Sequence, residues 1–333
     1  MKKLINKVLK RDDTPPPTRI TSDTIEQHRE HILAGGRRFK YPLQYARHKL
    51  VFNAIIISLV SVIIAVAIGW WQLYPMQNTS EFMYRVTTFI PVPVAMVDGQ
   101  PVLYSDYLMA YRSSVYFSEK SQQLNVKSDD GKRQLEYFKQ QSMHEAIADA
   151  YALKLSKSLN VSVNDKELDD FIKIQRQQSN GEVTQQSFDA STQDILGLSP
   201  AESRHKISNG LLRQKVSFAM DTNSKNTINT IAKLLQSDPN KDFKSITTSS
   251  TGKITYGASG WVPKLNLDGG LALAASKLTR NGLSPVIKST KGDGYYIVKL
   301  LDVSDIQVSY EYIQSPLTAF TDSLNGVISS GKI

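Results

Sequence analysis

The longest uncharged segment of the chain, residues 50–80, opens with an apolar run that ends at residue 73. At ~1.5 Å rise per residue, a helix of about 20 residues spans the ~30 Å hydrocarbon core of a bilayer. A buried core helix would show a polar face, and a cleaved secretory signal would be shorter and closer to the N-terminus. The pattern therefore predicts a transmembrane signal-anchor helix over residues 49–73.

Positive charge is concentrated on the N-terminal side of this segment. Up to Lys49 the chain has 12 Lys and Arg against 5 Asp and Glu, and subtraction from the totals of 40 and 31 leaves 28 against 26. The positive-inside rule then predicts that residues 1–48 are a cytoplasmic arm and that the residues after the helix lie outside the cell. Because membrane topology accounts for the charge excess, we predict no nucleic-acid partner.

The cytoplasmic arm divides into three parts. Residues 1–20 are polar, basic and interrupted by prolines, which predicts disorder. Ser22 is a suitable N-cap for a helix that ends at Gly35 and Gly36. The run RRFKY at residues 37–41 is basic with interleaved aromatic residues, which indicates contact with anionic lipid; a solvated tail is the alternative.

Helical patterns dominate the region beyond a predicted stalk at residues 74–93. Between residues 131 and 160, apolar side chains recur every four positions and form a core-facing stripe. Asn164 and Ser199 are each followed three residues later by Glu, which is the capping-box signature of a helix start. Residues 94–214 are therefore predicted to form a mainly α-helical domain.

The last third of the chain mixes short helices with strand patterns. Residues 216–220 fit either a strand or the end of the preceding helix. With the strand, the order over residues 215–304 is β-α-α-β-α-β-β, which predicts an α+β domain with an antiparallel sheet. Residues 305–333 add an alternating segment at 306–314, typical of a further strand, and a terminal helix.

The residue types that the chain lacks exclude several classes of chemistry. It has no cysteine, which excludes thiol catalysis, redox motifs and cysteine zinc sites. Its five histidines have no metal-ligand spacing, and none follows His205. The sequence also contains no recognisable phosphate loop or nucleophile–base arrangement. We therefore expect no metal and no cofactor.

Two regions resemble known families. The segments GWVPKLNLDGGLALAASKL at 260–278 and LSPVIKSTKGDGYYIVKLLDV at 283–303 are similar to the parvulin-type (PpiC) peptidyl-prolyl isomerase module. The helical part, which begins VDGQPVLYSDY at 97–107, resembles the N-terminal chaperone domain of SurA- and PrsA-like extracytoplasmic foldases. The resemblance implies a helical chaperone domain followed by an isomerase-like domain.

The parvulin resemblance also implies a site. In that family a proline-containing segment binds a shallow apolar cleft whose floor carries polar residues, including two histidines. The family's cleft residues and histidines correspond here to substrate-binding candidates Phe218, Trp261, Leu267, Leu271 and Tyr296. Neither histidine is retained, so the hydroxyl of Tyr296 is the one catalytic candidate; a packed strand tyrosine is the alternative.

These features lead to three hypotheses. The first is a single-pass, membrane-tethered extracytoplasmic chaperone that binds unfolded or proline-containing polypeptides, with an isomerase-like domain of weak or no activity. The second is an active prolyl isomerase, because barrier lowering by desolvation and strain does not require histidine. The third is a non-catalytic assembly protein of the cell envelope. All three include the lipid bilayer as a partner.

Overall fold

The computed structural model describes residues 21–40, 42–178, 181–250 and 252–332. The chain separates into two compact units, one up to Gln77 and one from Asn78 onwards. The disorder predicted for residues 1–20 lies outside the described residues, as do the side chains of the basic run at 37–41.

The N-terminal unit contains two helices. Helix α1, Ser22–Lys40, continues through the glycine pair at which an end was predicted, so that prediction is wrong. Glycine inside a helix costs only about 1 kcal/mol relative to alanine, and here the helix tolerates it. Helix α2, Pro42–Leu73, confirms the helical structure of the apolar segment. Among the described residues, Lys49–Leu73 is the one helical stretch long and apolar enough to cross a membrane.

The second unit begins with a helix inside the segment predicted as a stalk. Helix α3, Glu81–Phe89, is capped by Ser80, whose Oγ accepts a hydrogen bond from the Met83 N–H. It buries Met83 and Tyr84 against helix α4, Tyr104–Ser121. The predicted stalk at residues 74–93 therefore contributes a packed helix to the folded unit.

The rest of the helical part follows the sequence prediction. Both predicted capping boxes form, one at Asn164 and one at Ser199. The predicted helix at 131–160 is confirmed; its last residue is Leu159, and Asn160 follows as a C-cap in a left-handed conformation. The elements are a hairpin of β1 (Pro93–Val97) and β2 (Gln100–Leu103), α5 (Asp129–Leu159), α6 (Asp165–Gln175), a short hairpin of β3 (Gln177–Gln178) and β4 (Gly181–Glu182), α7 (Gln185–Leu196) and α8 (Pro200–Met220).

Helix α8 decides between the two alternatives for residues 216–220. These residues form its last turns, so the strand at the start of the predicted α+β domain does not exist. The helix also runs across the boundary predicted between residues 214 and 215. The helical and α+β parts are consequently joined by a continuous helix within one compact unit.

The α+β part forms a four-stranded antiparallel sheet in the order β5-β8-β7-β6. Strand β8 comes from the segment predicted as a separate C-terminal addition, and it lies between β5 and β7. The predicted β-α-α-β-α-β-β order ends in two strands, of which the first was expected at 283–289. Only residues 287–288 pair as a strand there, because Pro285 has no N–H to donate to a ladder. The elements are α9 (Thr222–Ser237), α10 (Phe243–Ser249), β5 (Thr255–Pro263), α11 (Leu271–Ala275), β6 (Ile287–Lys288), β7 (Gly294–Val303), β8 (Gln307–Pro316) and α12 (Ala319–Ser329).

Alternate side chains of β7 and β8 point to opposite faces of the sheet. Apolar residues occur in both sets, so the sheet has an apolar cluster on each face. One face packs against α8, α9 and α10 in what we call the helix-side cluster. The opposite face packs against α11 in what we call the α11-side cluster. The helix-side cluster contains Phe218, Ile228, Ile231, Leu235, Phe243, Ile246, Tyr295, Ile297 and Ile313. The α11-side cluster contains Leu271, Ala272, Ala275, Tyr296, Val298, Leu300, Val308 and Tyr310.

A buried carboxylate joins three helices of this unit. Asp221 lies between α8 and α9, and its Oδ1 accepts a hydrogen bond of 2.9 Å from the N–H of Ser224 in α9. Its Oδ2 accepts from the N–H groups of Thr318 at 2.7 Å and Ala319 at 3.1 Å, where α12 begins. Thr318 itself provides no side-chain cap, so Asp221 caps α12 from a distant part of the chain.

Candidate functional site

The structure does not bring the five predicted site residues together. Phe218 lies in the helix-side cluster, where its ring meets Tyr295 edge-on at a centroid distance of 5.1 Å. Leu271 and Tyr296 lie in the α11-side cluster, on the opposite face of the sheet. The assignment of Phe218 to a cleft with Leu271 and Tyr296 is therefore wrong, since it rested on the strand that α8 replaces.

The other four candidates differ in exposure. Leu271 and Tyr296 are only 4% and 5% exposed, so they are core residues and form no open cleft floor. Leu267 is 58% exposed in the loop before α11, and Trp261 is 52% exposed on β5. Trp261 pairs with Ser309, a position that alternates with residues facing α11, so its side chain projects from the other face.

Tyr296, the predicted catalytic candidate, lies in a group of three tyrosines and two aspartates. The Tyr296 hydroxyl donates to Asp293 Oδ2 at 2.9 Å, and the Tyr310 hydroxyl donates to Asp268 Oδ2 at 2.6 Å. The Tyr312 ring lies 5.6 Å from that of Tyr296 and 6.3 Å from that of Tyr310, centroid to centroid. We call this group the tyrosine–aspartate cluster.

The ionisation of this cluster follows from burial. Desolvation raises the pKa of Tyr296 and of Tyr310, and their hydrogen bonds to Asp293 and Asp268 raise these pKa values further. Both hydroxyls are therefore neutral at physiological pH and already donate to a carboxylate. Neither hydroxyl is a base, and a substrate would have to displace an aspartate to receive its hydrogen bond.

Local backbone features hold the cluster in place. Asp268 also accepts hydrogen bonds from the N–H groups of Leu271 and Ala272, which anchors the first turn of α11. Across the sheet, the Tyr312 ring lies directly over Gly257, and a Cβ at Gly257 would collide with it. The cluster is therefore part of the packed fold. Its aspartates hold the tyrosine hydroxyls, and Asp268 also holds the start of α11 in place.

A cavity of about 510 Å³ lies among α5, α6, α7 and α8 and the β6–β7 turn. Its apolar lining includes Phe171, Phe188 and Ile207. Two ion pairs line its wall, Asp149–Arg213 at 2.7 Å and Glu145–Lys206 at 3.0 Å. The cavity therefore presents apolar surface beside paired charges.

Burial of Asp149 changes its ionisation. Desolvation raises the pKa of Asp149 to about 6, although the nearby Arg213 guanidinium opposes that shift. The ion pair is thus only partly charged at mildly acidic pH. Sequence reasoning missed this cavity because the paired residues are more than 60 positions apart; the signal present was the spacing of four between Glu145 and Asp149 on α5.

Sequence reasoning also missed Tyr310, Tyr312 and Asp293. Tyr310 and Tyr312 belong to the alternating segment at 306–314, and Asp293 belongs to the β6–β7 turn. These residues come together only because β8 lies beside β7. Within the residues that the structure describes, no group of three or more His, Asp or Glu side chains is arranged to hold a metal ion.

Comparison with family models gives one match, to the SurA-like N-terminal domain, over residues 43–217. The match covers 175 of the 333 residues, and it includes both the apolar part of α2 and the helices up to α8. No curated protein and no solved structure matches the chain. No comparison covers the parvulin resemblance at 260–303.

The matched domain carries a functional implication. SurA-like domains are extracytoplasmic and bind unfolded protein clients. The domain therefore indicates a chaperone-like, extracytoplasmic folding factor. Since the match covers more than half of the sequence and agrees with the helical architecture, the chain belongs to the SurA-like N-terminal domain family.

Proposed function

We propose that this protein is a membrane-anchored extracytoplasmic chaperone that binds unfolded secreted or envelope polypeptides. The observation that carries the proposal is the extent of the family match, which begins at residue 43 and so takes in the apolar segment together with the helical part. An anchored chaperone meets polypeptides as they leave the membrane. Its clients are therefore proteins that cross or enter the envelope.

We further propose that the α+β part is parvulin-like in descent and has weak or no isomerase activity. Rotation about an X-Pro bond has a barrier of ~18 to 20 kcal/mol, and a catalyst must hold the proline while the imide twists. Burial of Leu271 and Tyr296 argues against an open cleft, and the tyrosine hydroxyls are engaged by aspartates. Both observations argue against efficient turnover.

A proline-turnover assay on the full chain in lipid nanodiscs tests the catalytic part. We expect isomerisation of a proline-containing peptide at its uncatalysed rate, with a time constant of roughly 10 to 100 s at 25 °C. The informative variant is Leu267→Asp, because Leu267 is exposed and its replacement leaves the core intact, whereas Leu271→Asp would bury a charge. Leu265→Asp, two residues earlier in the same loop and also exposed, is the matched control.

Acceleration that Leu267→Asp abolishes and Leu265→Asp preserves would establish an active isomerase, the second hypothesis. Absence of acceleration in all three proteins supports the proposal.

The proposed topology places residues 1–48 in the cytoplasm and the second unit outside. The chain has no cysteine, so single cysteines report location without background. We expect a membrane-impermeant maleimide to label Gln186→Cys on intact cells and to label Gln27→Cys only after the membrane is permeabilised; both positions are exposed. Labelling of Gln27→Cys and protection of Gln186→Cys on intact cells would reverse the orientation and remove the basis for extracytoplasmic clients.

A further inference from the structure

The two edge strands of the four-stranded sheet differ in length and in charge. The β6 edge has two residues and ends at Lys288, whereas the β5 edge has nine residues, TYGASGWVP, with no charge. Folded proteins commonly protect an exposed edge with a short strand or with lysine, because unpaired backbone groups can bind another chain. The β6 edge has both of these features, and β5 has neither. A bulge and Pro263 can also protect an edge, but in β5 both lie after Ala258.

The outward side of β5 is open to a further strand. Strand β5 pairs with β8 on one side, and no other strand of the described chain pairs with it. In an antiparallel pair, alternate residues direct their N–H and C=O groups away from the partner strand. Six of the nine β5 residues are exposed, so we expect solvent to reach the groups on the outer side of the strand.

A bulge limits how much of this edge is straight. The register between β5 and β8 shifts between Ala258 and Trp261. Ser259 Oγ accepts from the Tyr310 N–H at 3.0 Å and donates to the Tyr310 carbonyl at 3.1 Å, and thus replaces backbone bonds of the ladder. Residues 255–258 precede the bulge and form a regular run of paired positions, opposite residues 311–314.

One exposed aromatic side chain, Tyr256, lies within this regular run, and another, Trp261, lies just beyond the bulge. Tyr256 and Trp261 pair with Ile313 and Ser309, which share one face of the sheet, and both rings are exposed. Ile306, whose carbonyl accepts from the Lys264 N–H just beyond β5, is 76% exposed. An added strand would therefore find backbone hydrogen-bond groups along the edge and apolar surface beside it.

We propose that the outer edge of β5, at residues 255–258, binds an extended apolar segment of an unfolded polypeptide by strand addition, with Tyr256 and Trp261 contacting its side chains. This inference rests on the proposed chaperone function and names how clients are held. Main-chain hydrogen bonds recognise any extended sequence, which suits a protein with many clients.

The dimensions of the edge favour a client over a second copy of this chain. Four residues of strand extend about 13 Å. Pairing two such runs buries far less than the ~1,200 Å² of a stable protein–protein interface. Because the edge is uncharged, it selects no charged partner. A short, neutral edge of this kind fits transient binding of apolar, extended chain.

The test uses the full chain in nanodiscs and a fluorescent ten-residue peptide of alternating Val and Thr with an Arg at each end. A second peptide has the same side chains and a methyl group on every backbone nitrogen, which removes its hydrogen-bond donors. We expect the methylated peptide to bind at least about tenfold more weakly. We expect Ala258→Lys to weaken binding of the unmethylated peptide about fivefold or more, since it adds an edge charge beside a cationic probe.

Ala190→Lys, at an exposed position of α7, makes the same substitution away from the sheet and should leave affinity unchanged. Far-UV circular dichroism of both variants verifies folding. Equal binding of the two peptides, or an Ala258→Lys variant with unchanged affinity, overturns the edge-binding inference; if the chain still suppresses aggregation, the chaperone function stands. If the unmodified protein neither binds the unmethylated peptide nor suppresses aggregation, the edge-binding inference and the chaperone function are both overturned. If the unmodified protein forms a dimer in nanodiscs and Ala258→Lys dissociates that dimer, the edge mediates self-association and the inference is overturned.

Discussion

Replacing Asp221 by alanine is expected to lower the free energy of unfolding of the second unit by about 3 to 5 kcal/mol. Asp221 is 3% exposed, and its carboxylate accepts hydrogen bonds from three backbone N–H groups, at Ser224, Thr318 and Ala319. Truncation leaves one buried donor, at Ser224, and two part-buried donors, at Thr318 and Ala319, without this partner. An unsatisfied buried donor costs about 1 to 3 kcal/mol and a donor that water can reach costs less, so the total is about 3 to 5 kcal/mol. Urea titration of the full chain in detergent, followed by far-UV circular dichroism, measures the loss.

The effect should depend on pH in a defined direction. Burial alone would raise the pKa of Asp221, but the hydrogen bonds from Ser224, Ala319 and Thr318 outweigh it and hold the pKa below its ordinary value. An acid whose folded pKa is lowered stabilises the fold above its unfolded pKa of about 3.9 and loses that contribution as pH falls through the folded value. The difference between wild type and Asp221→Ala should therefore be smaller near pH 3 than near pH 7.

Asp242→Ala is the matched control. Asp242 also caps a helix, but it is exposed and its carboxylate accepts one backbone hydrogen bond, from Ser245 at 2.7 Å. Removing an exposed N-cap costs about 1 kcal/mol. If both variants lower the free energy of unfolding by the same amount, the contacts of Asp221 with α9 and α12 do not stabilise the fold beyond an ordinary helix cap.

Leu271→Ala is expected to cost about 2 to 4 kcal/mol of stability, while Leu267→Ala changes stability by less than about 0.5 kcal/mol. The two leucines are four residues apart, but Leu271 is buried in the α11-side cluster and Leu267 is 58% exposed. Truncating Leu271 leaves a cavity beneath α11, whereas truncating Leu267 removes atoms that already face solvent.

The same denaturation measurement separates a packing residue from a surface residue. A stability loss for Leu267→Ala as large as that for Leu271→Ala would mean that Leu267 is packed in solution, and it would remove Leu267 from the surface tested for catalysis.

Local sequence signals predicted the helical part well. The capping boxes at Asn164 and Ser199 and the apolar period of α5 act within one or two turns, so their physical cause lies in adjacent residues. The apolar segment of α2 was equally predictable, because length and lack of charge define it.

Most features that the sequence did not predict depend on contacts between elements that are far apart in the chain. Residues 216–220 have a strand-compatible composition, but they continue a helix whose apolar side chains pack against β7. Strand β8 was recognised as a strand, yet nothing in its local pattern places it between β5 and β7. Because a strand was predicted at 216–220, Phe218 was assigned to the wrong face of the sheet. Because the position of β8 was not predicted, the residues that surround Tyr296 were not identified. Tertiary context overrides local preference at such positions.

Site prediction by resemblance had a related weakness. Leu271 and Tyr296 have the residue types of a cleft, but both are buried, and the Tyr296 hydroxyl is held by Asp293. Side-chain type reveals neither exposure nor a partner supplied by a turn that closes only in the folded sheet. Trp261 and Leu267 remain exposed and available for binding.

Suppression of aggregation tests the central claim most directly. The full chain in lipid nanodiscs is mixed with a reduced, alkylated and therefore permanently unfolded model protein, and light scattering is followed with empty nanodiscs as the control. We predict that scattering falls in proportion to added chain and is mostly suppressed near about one chain per client, because a holdase binds the unfolded state by mass action. Scattering unchanged at about tenfold excess of the chain over client would contradict the account.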